Sequence, residues 1–142
     1  MASVIRHNIM KVYGQTNCKK TQTALAWFKE HNIEFEFQNF KKDGISLAKL
    51  REWDTKLGYD AFLNKKSLTW KKLLPEVRES IKTKENALYL LQEQPGIIKR
   101  PVIEDGSFLF FGFDEMVYDD HFKKHQNQMP LPKPSRKKHI LL

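Results

Sequence analysis

The feature that most constrains the fold is a pair of strand-like segments separated by a single amphipathic helix. Residues 9–13 are a short apolar run that ends at Gly14, as buried strands do. Residues 33–38 alternate apolar and polar side chains, which indicates a half-buried strand. Strand, helix and strand within about thirty residues predict a βαβ unit, whose connection is almost always right-handed.

The helix between these strands is predicted from its capping residues and its spacing. Thr16 and Asn17 are favourable N-cap residues, so the helix is expected to begin at about Cys18. Side chains three and four positions apart then form one apolar face: Thr21, Ala24, Leu25 and Phe28. Asn32 can end the helix because asparagine tolerates the left-handed conformation.

Residues 45–95 change in character and are predicted to be entirely helical. Ser46 is a capping residue before an apolar face of Leu47, Leu50, Trp53 and Leu57. Pro75 suits the first position of another helix, where its missing N–H costs nothing. Thr83 caps a further helix with an apolar stripe of Ala87, Leu88, Leu90 and Leu91. A Pro-Gly pair then ends this region.

A hairpin and a last helix complete the pattern. Residues 102–104 and 108–111 read as strands on either side of Asp105-Gly106, a pair that favours a tight turn. A short helix from Asp114 to about Lys123 follows. The order βαβ, helices, ββα predicts an α/β protein with a thioredoxin-like fold and an all-helical insertion at about 45–95. One domain is expected over residues 1–122.

The net charge of +8 is concentrated at the C-terminus, where residues 123–142 contain basic side chains and no acidic ones. Three closely spaced prolines in this segment favour extended backbone, so a solvated, flexible tail is predicted. A weak electrostatic contact with an acidic partner is the alternative. At the other end, Met10 is an alternative start to Met1.

Composition excludes several classes of protein. No apolar run approaches the roughly 20 residues that span a bilayer, and the N-terminal apolar segment is too short for a secretory signal. A single cysteine excludes an internal disulfide and fits a reducing cytoplasm. The five histidines are scattered, so no metal site is expected. The sequence therefore predicts a cytoplasmic protein without a membrane segment or a bound metal.

Cys18, the only cysteine, admits two interpretations. Lone cysteines are often buried and inert. A cysteine at a helix N-terminus, however, meets unpaired N–H groups that stabilise its thiolate. Lys19 and Lys20 would add positive potential, and the Thr21 hydroxyl, one helical turn on, could donate to the sulfur. These residues alone leave both interpretations open.

Four separated motifs narrow the choice: VYGQTNCKKTQTALAWFKEHNIEF, LNKKSLTWKKL, IIKRPVIEDG and FFGFDEMVY. Together they resemble the family of arsenate reductases and Spx regulators, and most of all its YffB-like branch. The resemblance covers roughly residues 10–122. It implies a thioredoxin-like fold with a helical insertion, a reactive cysteine in the first loop, here Cys18, and an Arg-Pro pair before the hairpin, here Arg100-Pro101.

The resemblance also implies roles for these residues. A cis proline packs beside the cysteine loop in thioredoxin-like folds, so Pro101 would shape the site and Arg100 would lie near the thiolate. There Arg100 would lower the pKa of Cys18, or hold an oxyanion or a carboxylate of glutathione. Lys66 would assist in binding the anion, and Thr21 would hydrogen-bond the thiolate. The alternative for Arg100 is an ordinary surface charge.

The sequence departs from the family in three places. Asn64-Lys65-Lys66 stands where arsenate reductases have arginine, and lysine lacks the bidentate fork of arginine. The segment after Arg100-Pro101 contains no further basic residue before the last helix. Spx-type switches use a Cys-x-x-Cys pair, but here the second position is Thr21, so an internal disulfide cannot form.

The predicted function is therefore that of a monomeric, glutathione-dependent thiol oxidoreductase with a single nucleophilic cysteine and no bound cofactor. Glutathione or a glutaredoxin would supply the second thiol. Two alternatives stay open. One is an Spx-like regulator that binds the α-subunit of RNA polymerase without a disulfide switch, and the other is a glutaredoxin-coupled arsenate reductase.

Overall fold

The structure, a computed structural model, describes residues 9–123. The predicted flexible tail, apart from Lys123, and the start at Met1 lie outside these residues, whereas the alternative start at Met10 lies within them. Within them, no helix is both long enough and apolar enough to cross a lipid bilayer.

Four strands form a mixed sheet in the order β2-β1-β3-β4. The strands are β1 (Met10–Gly14), β2 (Phe35–Asn39), β3 (Val102–Asp105) and β4 (Phe108–Phe111). β1 and β2 are parallel, as the βαβ pattern requires, whereas β3 pairs antiparallel with both β1 and β4. The sequence prediction of an α/β protein with the order βαβ, helices, ββα is confirmed.

One face of the sheet is covered by α1 (Lys19–Glu30) and by the C-terminal helical segment. This segment consists of α7 (Glu115–Tyr118), capped by Asp114, and a π-helical turn (Asp119–Lys123). Half of the buried side chains in the core on this face are aromatic: Met10, Val12, Ala24, Trp27, Phe28, Ile103, Tyr118 and Phe122. The predicted apolar face of α1 is confirmed, with Leu25 partly buried against this core. Trp27, which the prediction did not include, is buried as well.

The helical insertion lies between β2 and β3. It comprises α2 (Phe40–Asp43), α3 (Leu47–Leu57), α4 (Leu68–Lys71), α5 (Pro75–Glu79) and α6 (Lys84–Glu93), with 3-10 turns at Tyr59–Ala61 and Pro95–Ile97. Ser46 and Thr83 cap their helices through side-chain oxygens, as predicted. The predicted stripe of α6 is buried, but Leu57 is 48% exposed because α3 ends there at Gly58.

The hairpin turn differs by one residue from the prediction. Asp105 pairs with Phe108 as the last pair of the ladder, so the two-residue turn is Gly106-Ser107 rather than Asp105-Gly106. Gly106 has φ of 63°, a conformation that glycine adopts without steric cost. The turn therefore forms around the glycine, and the aspartate extends the strand.

A half-buried carboxylate joins the insertion to the sheet. Glu104 on β3 accepts hydrogen bonds from the Tyr13 hydroxyl (2.7 Å) and from Nε1 of Trp53 on α3 (3.1 Å). It also forms an ion pair with Lys49, whose Nζ is 3.2 Å from Oε2. Burial raises the pKa of Glu104, but the three donors outweigh this effect and hold the pKa below its usual value.

Replacing Glu104 by glutamine is expected to destabilise the protein by about 1–3 kcal/mol at pH 7, because the charge-assisted bonds are lost while their donors stay buried. The folded-state pKa of Glu104 is depressed, so this stabilisation is fully present above the unfolded pKa of about 4.3 and is lost as pH falls through the folded value. Denaturant unfolding at pH 7 and in acid measures both effects. The difference between Glu104→Gln and the parent protein should shrink in acid, whereas the exposed control Glu34→Gln should match the parent throughout.

Candidate active site

Cys18 occupies the N-cap position of α1. Thr16 and Asn17, the predicted caps, instead form the preceding turn, which the Cys18 N–H closes by donating to the Gln15 carbonyl at 3.0 Å. The N-cap prediction was therefore wrong by one to two residues, because Thr16 and Asn17 belong to the turn before the helix. The Cys18 side chain makes no capping hydrogen bond and is half-buried, so the sulfur remains accessible.

The environment of Cys18 favours its thiolate. Burial raises the pKa of the thiol, but the hydroxyl and N–H of Thr21, and then Arg100, are placed to donate hydrogen bonds to the thiolate, which more than offsets burial and lowers the pKa below its ordinary value. Thr21 is fully buried, and its hydroxyl has no hydrogen-bond partner among residues 9–123. The hydroxyl is therefore available to donate to the sulfur when Cys18 ionises.

Gly14 makes room for Thr21 beneath the cysteine. A Cβ atom at Gly14 would lie 2.5 Å from the Thr21 hydroxyl oxygen, closer than any real contact. The last residue of β1 must therefore lack a side chain for Thr21 to hold its position. Gly14 thus contributes to the site through packing, not through chemistry.

Arg100 is held on the other segment of the site by backbone carbonyls. Its Nη1 donates to the carbonyl of Gly96 at 2.8 Å and, more weakly, to that of Ile98 at 3.5 Å. Its Nε is buried and has no partner among the described residues. The peptide bond between Arg100 and Pro101 is cis, as the family resemblance implied, and Pro101 is buried.

Cys18 and Arg100 line one cleft of about 850 Å³, within the size range of small-molecule sites. The lining is strongly basic, because it contains six cationic side chains and a single carboxylate, that of Asp60. The cations are Lys19, Lys20, Lys65, Lys66, Lys99 and Arg100. The end of β4 contributes Phe111 and Gly112 and no cation. We call this space the basic cleft.

A short backbone ladder places the cations from the insertion near those beside the cis proline. The Asn64 N–H donates to the carbonyl of Ile97 at 2.7 Å, and the Lys99 N–H donates to that of Phe62 at 2.9 Å. The Asn64 side chain then accepts from the Lys66 N–H at 3.0 Å and turns the chain. Lys65 lies over the Trp70 ring, with Nζ 5.6 Å from its centroid.

Each residue singled out from the sequence now has a place. Cys18, Arg100 and Lys66 line the basic cleft, whereas Thr21 and Pro101 are buried and support it. Sequence reasoning missed Lys99, Phe111 and Asp60. Lys99 could have been found from its position next to the Arg-Pro pair, but nothing in the local sequence marks Asp60.

Metal chemistry has no evident ligand set here. Among residues 9–123, no three or more His, Cys, Asp or Glu side chains come together in a way that could hold a metal ion.

Comparison with known proteins agrees with this geometry. The family model described as the ArsC family matches residues 13–121. An uncharacterized protein of Haemophilus influenzae is 40% identical over 80% of this chain and 99% of its own. The global transcriptional regulator Spx 1 of Oceanobacillus iheyensis is 30% identical, over 75% of this chain and 82% of its own.

Among solved structures, the YffB protein superimposes with a TM-score of 0.72 at 31% identity, over 77% of this chain and 95% of its own. The thioredoxin-like architecture is thereby confirmed. Cys18, the cis Arg100-Pro101 bond and all lining residues of the basic cleft lie inside the segment that the family model covers. The chain belongs to the ArsC family, the family of arsenate reductases and Spx regulators.

Proposed function

We propose that the protein is a glutathione-dependent thiol oxidoreductase in which Cys18 is the single nucleophile. The observation that carries the proposal is the environment of this thiol. Cys18 caps α1 in the basic cleft, and its pKa is lowered by Thr21 and Arg100 despite partial burial. Thiolate is the form that attacks disulfides, so a lowered pKa supplies the reactive species at neutral pH.

The reaction requires two thiol–disulfide exchanges, because the chain has one cysteine. The Cys18 thiolate attacks the glutathione sulfur of a mixed disulfide between glutathione and a substrate, forms a disulfide with glutathione, and releases the substrate thiolate. A second glutathione thiolate then attacks the glutathione sulfur bound to Cys18. This step restores the Cys18 thiolate and releases oxidised glutathione. The incoming glutathione is oxidised as the substrate thiol is released, whereas the first glutathione sulfur stays in a disulfide throughout. A glutaredoxin could replace the second glutathione.

The chemistry of the basic cleft favours a carboxylate-bearing peptide over a small oxyanion. Arginine holds oxyanions through two parallel hydrogen bonds, but five of the six cations in the cleft are lysines, which act as point charges. Arg100 is the one guanidinium, and its Nη1 already bonds backbone carbonyls. The volume of the cleft also suits a tripeptide.

The proposal is tested by the pH dependence of alkylation of Cys18 and by exposure to oxidised glutathione. We expect the alkylation rate to titrate with a pKa below the roughly 8.5 of a free thiol, because Thr21 and Arg100 stabilise the thiolate. Mass spectrometry should then show one glutathione added to Cys18. A pKa at or above the free value, with no mixed disulfide, would sink the proposal.

The similarity to Spx 1, a global transcriptional regulator, supports a second candidate function. In this alternative the chain binds the α-subunit of RNA polymerase, and Cys18 takes no part. The absence of a second cysteine argues against an internal redox switch but not against binding. Capture of RNA polymerase from a lysate by both the parent protein and Cys18→Ser would favour this candidate.

A further inference from the structure

The basic cleft contains one carboxylate, that of Asp60, that forms no ion pair with the cations that residues 9–123 place around it. Asp60 lies in the 3-10 turn Tyr59–Ala61, directly before the segment that pairs with residues 97–99. Its side chain is exposed and makes no hydrogen bond or ion pair among residues 9–123, although six cationic side chains line the same cleft. Asp60 is therefore a negative charge that is available to a ligand.

The turn that presents Asp60 is fixed by its own contacts. Gly58 has φ of 86° and lets the chain leave α3 sharply, and the Tyr59 N–H donates to the Asp54 side chain at 2.9 Å. The Ala61 N–H returns to the carbonyl of Gly58 at 3.0 Å. These bonds hold the backbone of the turn without using the carboxylate of Asp60. The position of Asp60 at the cleft is thus set by the fold, and its charge is not needed for the turn.

The charge pattern of the cleft can be compared with that of its ligands. An anion without an ammonium group would meet only repulsion from Asp60. A peptide with two carboxylates and one ammonium would meet lysines for the carboxylates and Asp60 for the ammonium. Glutathione has this pattern beside its thiol, with the ammonium on the γ-glutamyl residue.

We propose that Asp60 is a specificity-determining residue that binds the γ-glutamyl ammonium of glutathione, while the lysines of the basic cleft bind its carboxylates. The proposal rests on the proposed function, because it places glutathione in the cleft of Cys18. Beyond that function, the proposal states that Asp60 makes the cleft selective for thiols with a γ-glutamyl ammonium group over anionic thiols without one. Attack by the Cys18 thiolate on oxidised glutathione then forms the mixed disulfide and releases one glutathione thiolate, which balances the step.

The test compares two disulfides that differ only in the ammonium group. Oxidised glutathione and its bis-N-acetylated form have the same disulfide and the same carboxylates, but acetylation removes the positive charge. We measure the rate constant for mixed-disulfide formation at Cys18 with each, in the parent protein and in Asp60→Asn. Glu93→Gln is the matched control, since it removes one exposed carboxylate outside the cleft.

We expect Asp60→Asn to slow the reaction with oxidised glutathione about three- to tenfold, the range of an exposed to partly buried ion pair, and not to slow that with the acetylated form. Glu93→Gln should leave both rates unchanged. If Asp60→Asn alters both reactions equally, the ammonium site is wrong while the thiol chemistry stands. If the parent protein reacts with neither disulfide, the proposed function itself fails.

Discussion

Replacing Cys18 by serine is expected to abolish mixed-disulfide formation with oxidised glutathione and to reduce glutathione-dependent disulfide turnover by at least about a thousandfold. The reason is that the chain contains no other thiol, and a serine hydroxyl is not ionised near neutral pH. Mass spectrometry after incubation with oxidised glutathione measures the first effect. Coupled oxidation of a nicotinamide cofactor by glutathione reductase measures the second.

Stability provides the control for this variant. The Cys18 side chain makes no capping hydrogen bond, and serine is a favourable N-cap residue, so Cys18→Ser should unfold at the same or a slightly higher denaturant concentration than the parent protein. Turnover that persists in a folded Cys18→Ser protein would rule out the nucleophile assigned here. RNA polymerase binding that persists while thiol chemistry disappears would show that the two candidate functions are separable.

Replacing Arg100 by methionine is expected to raise the pKa of Cys18, because a hydrogen-bond donor and a positive charge near the thiolate are lost. At pH 7 the alkylation rate should fall about threefold or more, since fewer molecules carry the thiolate. At a pH above the Cys18 pKa of both proteins, Arg100→Met should react faster than the parent protein, because a thiolate of higher pKa is intrinsically more nucleophilic. The pH–rate profiles of the two proteins, measured with a neutral alkylating reagent, should therefore cross.

Two further variants separate charge from geometry. Arg100→Lys keeps the charge but loses the bond from Nη1 to the Gly96 carbonyl, so its profile should lie between those of the parent protein and Arg100→Met. Arg51→Met removes an exposed arginine that pairs with Glu85 away from the cleft, and it should leave the profile unchanged. An unchanged pKa in Arg100→Met would contradict the assigned role of Arg100.

Local sequence patterns predicted the elements of this fold well. The period of two in residues 33–38 and the apolar run before Gly14 each correspond to a strand, because alternate side chains of a strand face the same side. Ser46 and Thr83 cap helices by accepting a hydrogen bond from the backbone N–H three residues further along the chain, so the contact depends only on local sequence. Such short-range interactions can be predicted from the local sequence alone.

The same local reasoning failed where packing between distant segments decides. Leu25 and Trp27 both lie near the apolar face of α1, but contacts with Tyr118 and Phe122 bury the tryptophan. Leu57 satisfies the helical spacing, yet at the end of α3 it stays about half exposed. Helical periodicity shows which side chains share a face, and the partner element determines which of them are covered.

The candidate site shows the same division. The sequence by itself determined that one cysteine stands at the start of a helix, that no second thiol is present, and that an Arg-Pro pair precedes the hairpin. Only the tertiary structure brought Lys65, Lys66 and Lys99 together, through the backbone ladder between residues 62–64 and 97–99, and placed Asp60 among them. The physical reason is that a pKa and a charge pattern depend on distances between side chains, and segments far apart in sequence acquire those distances only when the chain folds.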